Sequence, residues 1–245
     1  MELLPNRLKD DCITEALLEL RFSVDELDEI TIGKLSSFSP WSNFKKNRLP
    51  AAHIPQPIRT MDPALQHQPT IELVAPDQTR RVRIGSSVIS YHCVGRYVGW
   101  ATFQPELNAM IDHFYSAIGG VVARRIGLRY LNLLTGRRHS VSSLGDTALK
   151  VTVRDAVVTG PLNVNYEQQA AEDHFVMIRM ATPQFVLGVT DPETALVVDV
   201  DVYTPATFMC LDARASQDWV DQAHTLEKRS FFRLFPDALV KSWEA

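Results

Sequence analysis

Residues Arg125-Ile126-Gly127-Leu128-Arg129-Tyr130-Leu131-Asn132 lie inside a longer apolar run, 121–134, and how that run folds decides the architecture. Its residues alternate, so it reads as one long strand. Val122, Arg124, Ile126, Leu128, Tyr130 and Asn132 are expected on one face, with Ala123, Arg125, Gly127, Arg129 and Leu131 on the other. Gly119-Gly120 stand just before it and end a strongly amphipathic helix expected over 102–118. The helix stripe is Phe103, Leu107, Met110, Ile111, Phe114 and Ile118.

Toward the N-terminus, hairpin strands are expected at 70–75, 80–84 and 87–93. Before them, residues 39–69 hold six prolines and little periodicity, which predicts a long irregular connection. The chain opens with a strand over 13–22. Ala16, Leu18, Leu20 and Phe22 fall on its apolar face, and Glu15, Leu17, Glu19 and Arg21 on its polar face. Ser23 and Glu26 suggest a capping box for a helix running to about residue 38. Beyond the decisive strand, 140–160 is ambiguous. Strands are expected at 162–170, 173–182, 184–190 and 195–203, then a helix over 216–234. The predicted class is α+β: a mainly antiparallel sheet with two long helices packed on one face. The whole chain, 1–245, reads as one domain, with 1–120 and 121–245 as two similar halves that share the sheet.

The 245 residues carry 25 Lys and Arg against 29 Asp and Glu, ordinary values for a chain with a real core. No run is apolar enough to span a membrane, and Met1–Asp10 shows no signal-peptide core, so no membrane partner is expected. Cys12, Cys93 and Cys210 share no metal spacing and fit a reducing, cytoplasmic setting. Charge is segregated along the chain: residues 41–140 are net +8, while 1–40 are net −5 and 141–212 net −7. Either basic and acidic strands meet inside the fold, or the basic stretch faces an anionic partner, nucleic acid included.

The run 125–132 resembles the signature strand of a sporadically distributed prokaryotic family of uncharacterised proteins. The opening strand, the Tyr97-x-Gly99-Trp100 entry to the middle helix, and the closing run with His224, Phe232 and Leu239 are similar to that family as well. The family's patchy distribution resembles that of accessory genes: antitoxin-like, defence or biosynthetic systems. The resemblance therefore implies a subunit that docks a protein partner encoded nearby. It implies no catalytic residue and no cofactor.

Several residue groups are candidates for function. Trp41, Lys45, Lys46, Arg48 and Arg59 lie in the Pro-rich segment and are expected to touch the partner. Arg125 and Arg129 flank Gly127 and suit an anion clamp, or else ion pairs with Asp199 and Asp201. If that pair is buried, Arg129→Ala is expected to cost roughly 3–5 kcal/mol. Asp199, Asp201 and His224 could hold Mg²⁺, the alternative being a metal-dependent enzyme on a phosphorylated or nucleic-acid substrate. The rows Glu15/Glu19/Arg21, Arg81/Arg83, Arg125/Arg129 and Asp199/Asp201 would line a polyphosphate tunnel if the strands closed into a barrel. No G-x-S-x-G occurs, so Ser–His–carboxylate catalysis is not expected, and His92 and His174 read as structural.

Overall fold

A computed structural model describes residues 4, 5, 7–158 and 160–245. The first half runs β1 (Ile13–Ser23), α1 (Asp28–Ser36), β2 (Lys45–Arg48), α2 (Gln56–Met61), β3 (Ile71–Val74), β4 (Arg80–Ile84), β5 (Val88–Val94) and α3 (Trp100–Ala117). The second runs β6 (Val122–Thr135), α4 (Gly136–His139), β7 (Thr152–Val153), β8 (Ala156–Val157), β9 (Asn163–Ala171), β10 (His174–Ala181), β11 (Thr194–Tyr203), α5 (Ala213–Phe232) and α6 (Asp237–Trp243). Nine strands form one antiparallel sheet in the order β2-β3-β4-β5-β1-β6-β11-β10-β9, and β7-β8 make a separate small hairpin. The sheet is open rather than closed, so the charged rows do not line a barrel tunnel. No helix among the described residues is long and apolar enough to cross a membrane.

The centre of the sheet is the β1–β6 pair, and its register follows from alternation. Ala16, Leu18, Leu20 and Phe22 are all buried, as are Ile126, Leu128 and Tyr130 across from them. Burying each large apolar side chain contributes roughly 1.5–3 kcal/mol, so a one-residue slip would be very costly. β6 departs from strict alternation at one point. A β-bulge lets Arg21 pair with Arg125 and Phe22 with Ala123, which leaves Arg124 as the extra residue. Ala123 therefore joins the buried face with Ile126, and Arg124 turns out to Ser23 Oγ.

α3 lays Phe103 on Tyr91 of β5 and Phe114 on Phe22 of β1. Gly99 starts this helix at φ +84°, a conformation that favours glycine. α5 stacks Trp219 on His174 of β10 and brings His224 to Tyr130 of β6. Gln217 of α5 donates to Asp112 of α3 at 2.8 Å, tying the two long helices together.

Other local expectations are corrected. The segment 39–69 is not irregular: it contains β2, α2 and 3-10 turns at Ser39–Trp41 and Pro50–His53. α1 begins at Asp28 with Leu27 at its N-cap, a side chain that cannot accept a hydrogen bond, and Glu26 accepts from Thr31 and Lys34 instead of completing a capping box. Residues 184–190 form no strand. Pro183 opens a 3-10 turn, Gly188 has φ +84°, and Leu187 is fully exposed, so that apolar run has no sheet neighbour. α6 follows Pro236, a residue that reads as a stop but serves here as the entry to a seven-residue helix.

Candidate anion-binding site

The residues that alternate with the core face form a second face of charged side chains, with sign changing strand by strand. β3 contributes Glu72, β4 Arg81 and Arg83, β1 Glu15 and Glu19, β6 Arg125 and Arg129, and β11 Asp199 and Asp201. The segregation of charge along the chain is thus resolved within the sheet. Basic strands sit beside acidic ones, and the cross-strand pairs form ion pairs.

Arg129 binds Asp199 through two nitrogens, at 2.7 and 2.5 Å. Arg125 bridges Glu19 at 3.1 Å and Asp201 at 2.9 Å, with its guanidinium 4.7 Å from the centre of the Tyr203 ring. That guanidinium lies over Gly127, where an added Cβ would stand 2.5 Å from its Nη1. Arg21 binds Glu19, and Arg83 binds Glu72, each through Nε alone. Hydrogen bonding to Asp199 holds Arg129 firmly protonated, whereas burial raises the Asp201 carboxyl.

The partners are unequally exposed. The Arg129 side chain is 45% exposed and that of Asp199 10%; for Arg83 and Glu72 the figures are 36% and 10%. In these two pairs the carboxylate lies beneath and the guanidinium above it, whereas Arg125, at 21%, is no more exposed than Glu19 and Asp201, each at 24%. Over β4, β5, β1 and β6 this surface sinks into a cavity of about 440 Å³. Arg21, Arg83, Arg129, Ser90 and His92 line its floor and sides, and the 63–69 segment with His67 forms its rim. His67 Nδ1 is 2.9 Å from Ser87 Oγ, which anchors the rim to the sheet. Burial and then the charge of Arg21 push the His67 pKa down. A smaller hollow of about 90 Å³ continues over Arg125 and Gly127.

The sequence-derived candidates are dispersed. Arg125 and Arg129 belong to this face, in ion pairs with Asp201 and Asp199. Asp199 and Asp201 do not meet His224. Tyr130, which contacts His224, alternates with Arg129, so the imidazole and the carboxylates lie on opposite sides of the sheet. Among the described residues no group of three His, Cys, Asp or Glu could hold a metal. Trp41 is buried against Phe38, Tyr91 and His113, so its indole is core and not a contact surface. Lys45, Lys46 and Arg48 are exposed on edge strand β2, whereas Arg59 sits near Asp28 of α1 at 3.9 Å. Sequence reasoning grouped Arg21 and Arg83 only as rows of a closed barrel tunnel, and it missed His67, Ser90 and His92 as members of the site. The signal was present only in part, as alternating polar positions on strands whose register was unknown.

No protein-family model matches the chain, and no curated protein matches it.

Proposed function

We propose that this chain is a binding protein whose working surface is the charged face of the sheet, and that its cavity takes an anionic group, phosphate or carboxylate. Both long helices are assigned to the other face, which leaves this one open. The contacts of Phe103, Phe114, Trp219 and His224 with core-facing strand residues support that assignment. The observation that carries the reading is the state of Arg21 and Arg83. Each spends only Nε on its carboxylate, and the terminal N–H groups of both have no protein partner among the described residues. Both line the cavity. Paired guanidinium forks of this kind suit bidentate oxyanions.

Titration with inorganic phosphate should raise the His67 pKa, followed by NMR, because an anion offsets the arginine field. Arg21→Ala and Arg83→Ala should each weaken phosphate affinity about tenfold or more, since a hydrogen bond to a charged group contributes roughly 1.5–3 kcal/mol. Unchanged affinity in both variants would remove this reading.

A second reading has its own support. Ile58 and Met61 of α2, Leu27 at the N-cap of α1 and Ile30 within α1 are exposed apolar side chains. Gln56 Nε2 donates to Asp28 Oδ2 at 3.1 Å and so joins α2 to α1. With Lys45, Lys46 and Arg48 nearby in the chain, this arm suits docking of a protein partner. In that reading the chain is a cytoplasmic accessory subunit of an antitoxin-like, defence or biosynthetic complex, a role that rests on the likeness of residues 125–132 to the prokaryotic family. Ile58→Asp combined with Met61→Asp should release a partner that co-purifies when neighbouring genes are co-expressed. Retention of that partner would count against the arm.

A further inference from the structure

Ser90 occupies the middle of the cavity floor, and its neighbours follow from register. Val88 and His92 flank it along β5; Arg83 lies directly across on β4, and Glu19 directly across on β1. Ser90 Oγ is 2.8 Å from His92 Nε2, and His92 Nδ1 is 2.7 Å from Glu15 Oε1. Both separations suit proton transfer. The tautomer follows from the chemistry of the groups. A carboxylate only accepts, so Nδ1 donates to Glu15; in the neutral ring Nε2 is then the acceptor, and Ser90 donates its hydroxyl proton to it. The hydrogen bond from His92 holds Glu15 below the usual carboxylate range, which keeps it ionised. Nucleophile, base and orienting carboxylate therefore stand in the order a serine relay requires.

We propose that Ser90, His92 and Glu15 form a nucleophilic relay that hydrolyses a carboxylic ester bearing an anionic group, a role that rests on the anion-binding reading of the same cavity. Ser90 Oγ attacks the ester carbonyl carbon while His92 Nε2 takes the hydroxyl proton. The carbon–alkoxy bond breaks, and the alcohol leaves with that proton. Water then attacks the acyl-serine and gives its proton to His92. The acid departs, and the proton returns to Ser90 Oγ. No oxidant or reductant is needed, and water is the only co-reactant.

The backbone N–H groups around Ser90 are engaged in the ladders with β4 and β1, so the strand offers no backbone oxyanion hole. Arg83 takes that part: it faces Ser90 across the strand pair and has terminal N–H groups without a protein partner. Arg21, at the same floor, holds the remote anion. In this proposal His92 serves beyond the structural role that its place in a strand suggests, and Ser90 and Glu15 complete a set that no sequence motif marks. The chain lacks a nucleophile-elbow motif because its serine lies on a strand.

The test is covalent labelling of the full chain with an alkyl fluorophosphonate, read by intact mass and peptide mapping. The expected adduct is on Ser90, absent in Ser90→Ala, slowed roughly a hundredfold in His92→Gln, and competed by inorganic phosphate. Ser90→Ala should still bind phosphate, which separates the relay from the anion site. Wild-type protein that binds phosphate yet gives no Ser90 adduct would overturn the relay and leave the binding reading standing. An adduct formed equally fast in His92→Gln would overturn the relay too. Protein that neither binds phosphate nor reacts would remove both.

Discussion

Glu227→Gln will stabilise the protein above neutral pH, by roughly 3–5 kcal/mol at pH 8, with a rise in Tm on the order of 10 °C. Glu227 lies on the inner side of α5, where burial raises its pKa from 4.5 to about 8. Lys228 opposes that shift only in part, and the groups that sense the Glu227 charge are Tyr97, Tyr130 and Cys12. The folded chain therefore keeps a proton that the unfolded chain loses between pH 4.5 and 8. Stability from this group is full below the lower value and falls as pH rises toward the upper one, by about 1.4 kcal/mol per unit. His224, one turn earlier, acts in the opposite sense. Burial, reinforced by Lys228, lowers its pKa to about 4, so stability is lost as pH falls from 6.5 toward 4. The two slopes oppose each other in acid, and His67, His139 and His174, whose pKa values burial also lowers, add to the His224 slope around pH 6.5. The difference between wild type and Glu227→Gln isolates the Glu227 contribution: in denaturant unfolding the Gln variant's advantage should grow as pH rises from 6.5 to 8. An advantage that does not grow over that range, or a Gln variant no more stable at pH 8, would show that Glu227 is not held protonated.

How much of this was legible in the sequence depends on whether one element or two had to be known. β1, α3 and α5 carry their own periodicity, and Leu18, Phe103 and Val220 are buried as their spacing implies. β2, with Lys45-Lys46-Asn47-Arg48, has no apolar residue at all; only the free edge of β3 makes it a strand. The stretch 184–190 shows the converse: apolar spacing without a neighbour to pair with. Trp41 was misplaced because proline density suggested an exposed loop, while its ring in fact stacks toward Tyr91. The site was harder still. Ser90 and His92, two residues apart on one strand, announce a shared face. Glu15 lies 77 residues from His92 in sequence, and nothing local says that β1 pairs beside β5 in the register that sets Leu17 against His92. The arginine–carboxylate pairing of β6 with β11 was readable because charge sign alone favoured it. What charge sign could not say is which partner faces water.

That exposure decides the second large effect: Arg129→Ala will destabilise the fold by about 3 kcal/mol, whereas Asp199→Ala will cost about 1 kcal/mol or less. A fully buried pair would lose similar amounts from either side. Here removal of Arg129 leaves a nearly buried carboxylate without its bidentate partner, and that carboxylate must be protonated or hydrated at a penalty. Removal of Asp199 leaves a guanidinium already 45% exposed, which water solvates readily. The guanidinium's access to water also holds the Arg129→Ala loss at the lower end of the range for buried pairs. Replacing both residues at once, Arg129→Met with Asp199→Leu, should recover most of that loss, because no lone charge remains. Urea unfolding of the three variants measures all of this in one series. Equal losses for Arg129→Ala and Asp199→Ala would show that the pair is closed to solvent and that its guanidinium is not presented to the cavity. The same series separates structure from recognition. Arg129 already gives two nitrogens to Asp199, so its loss should move stability more than phosphate affinity, while Arg21→Ala and Arg83→Ala should show the reverse.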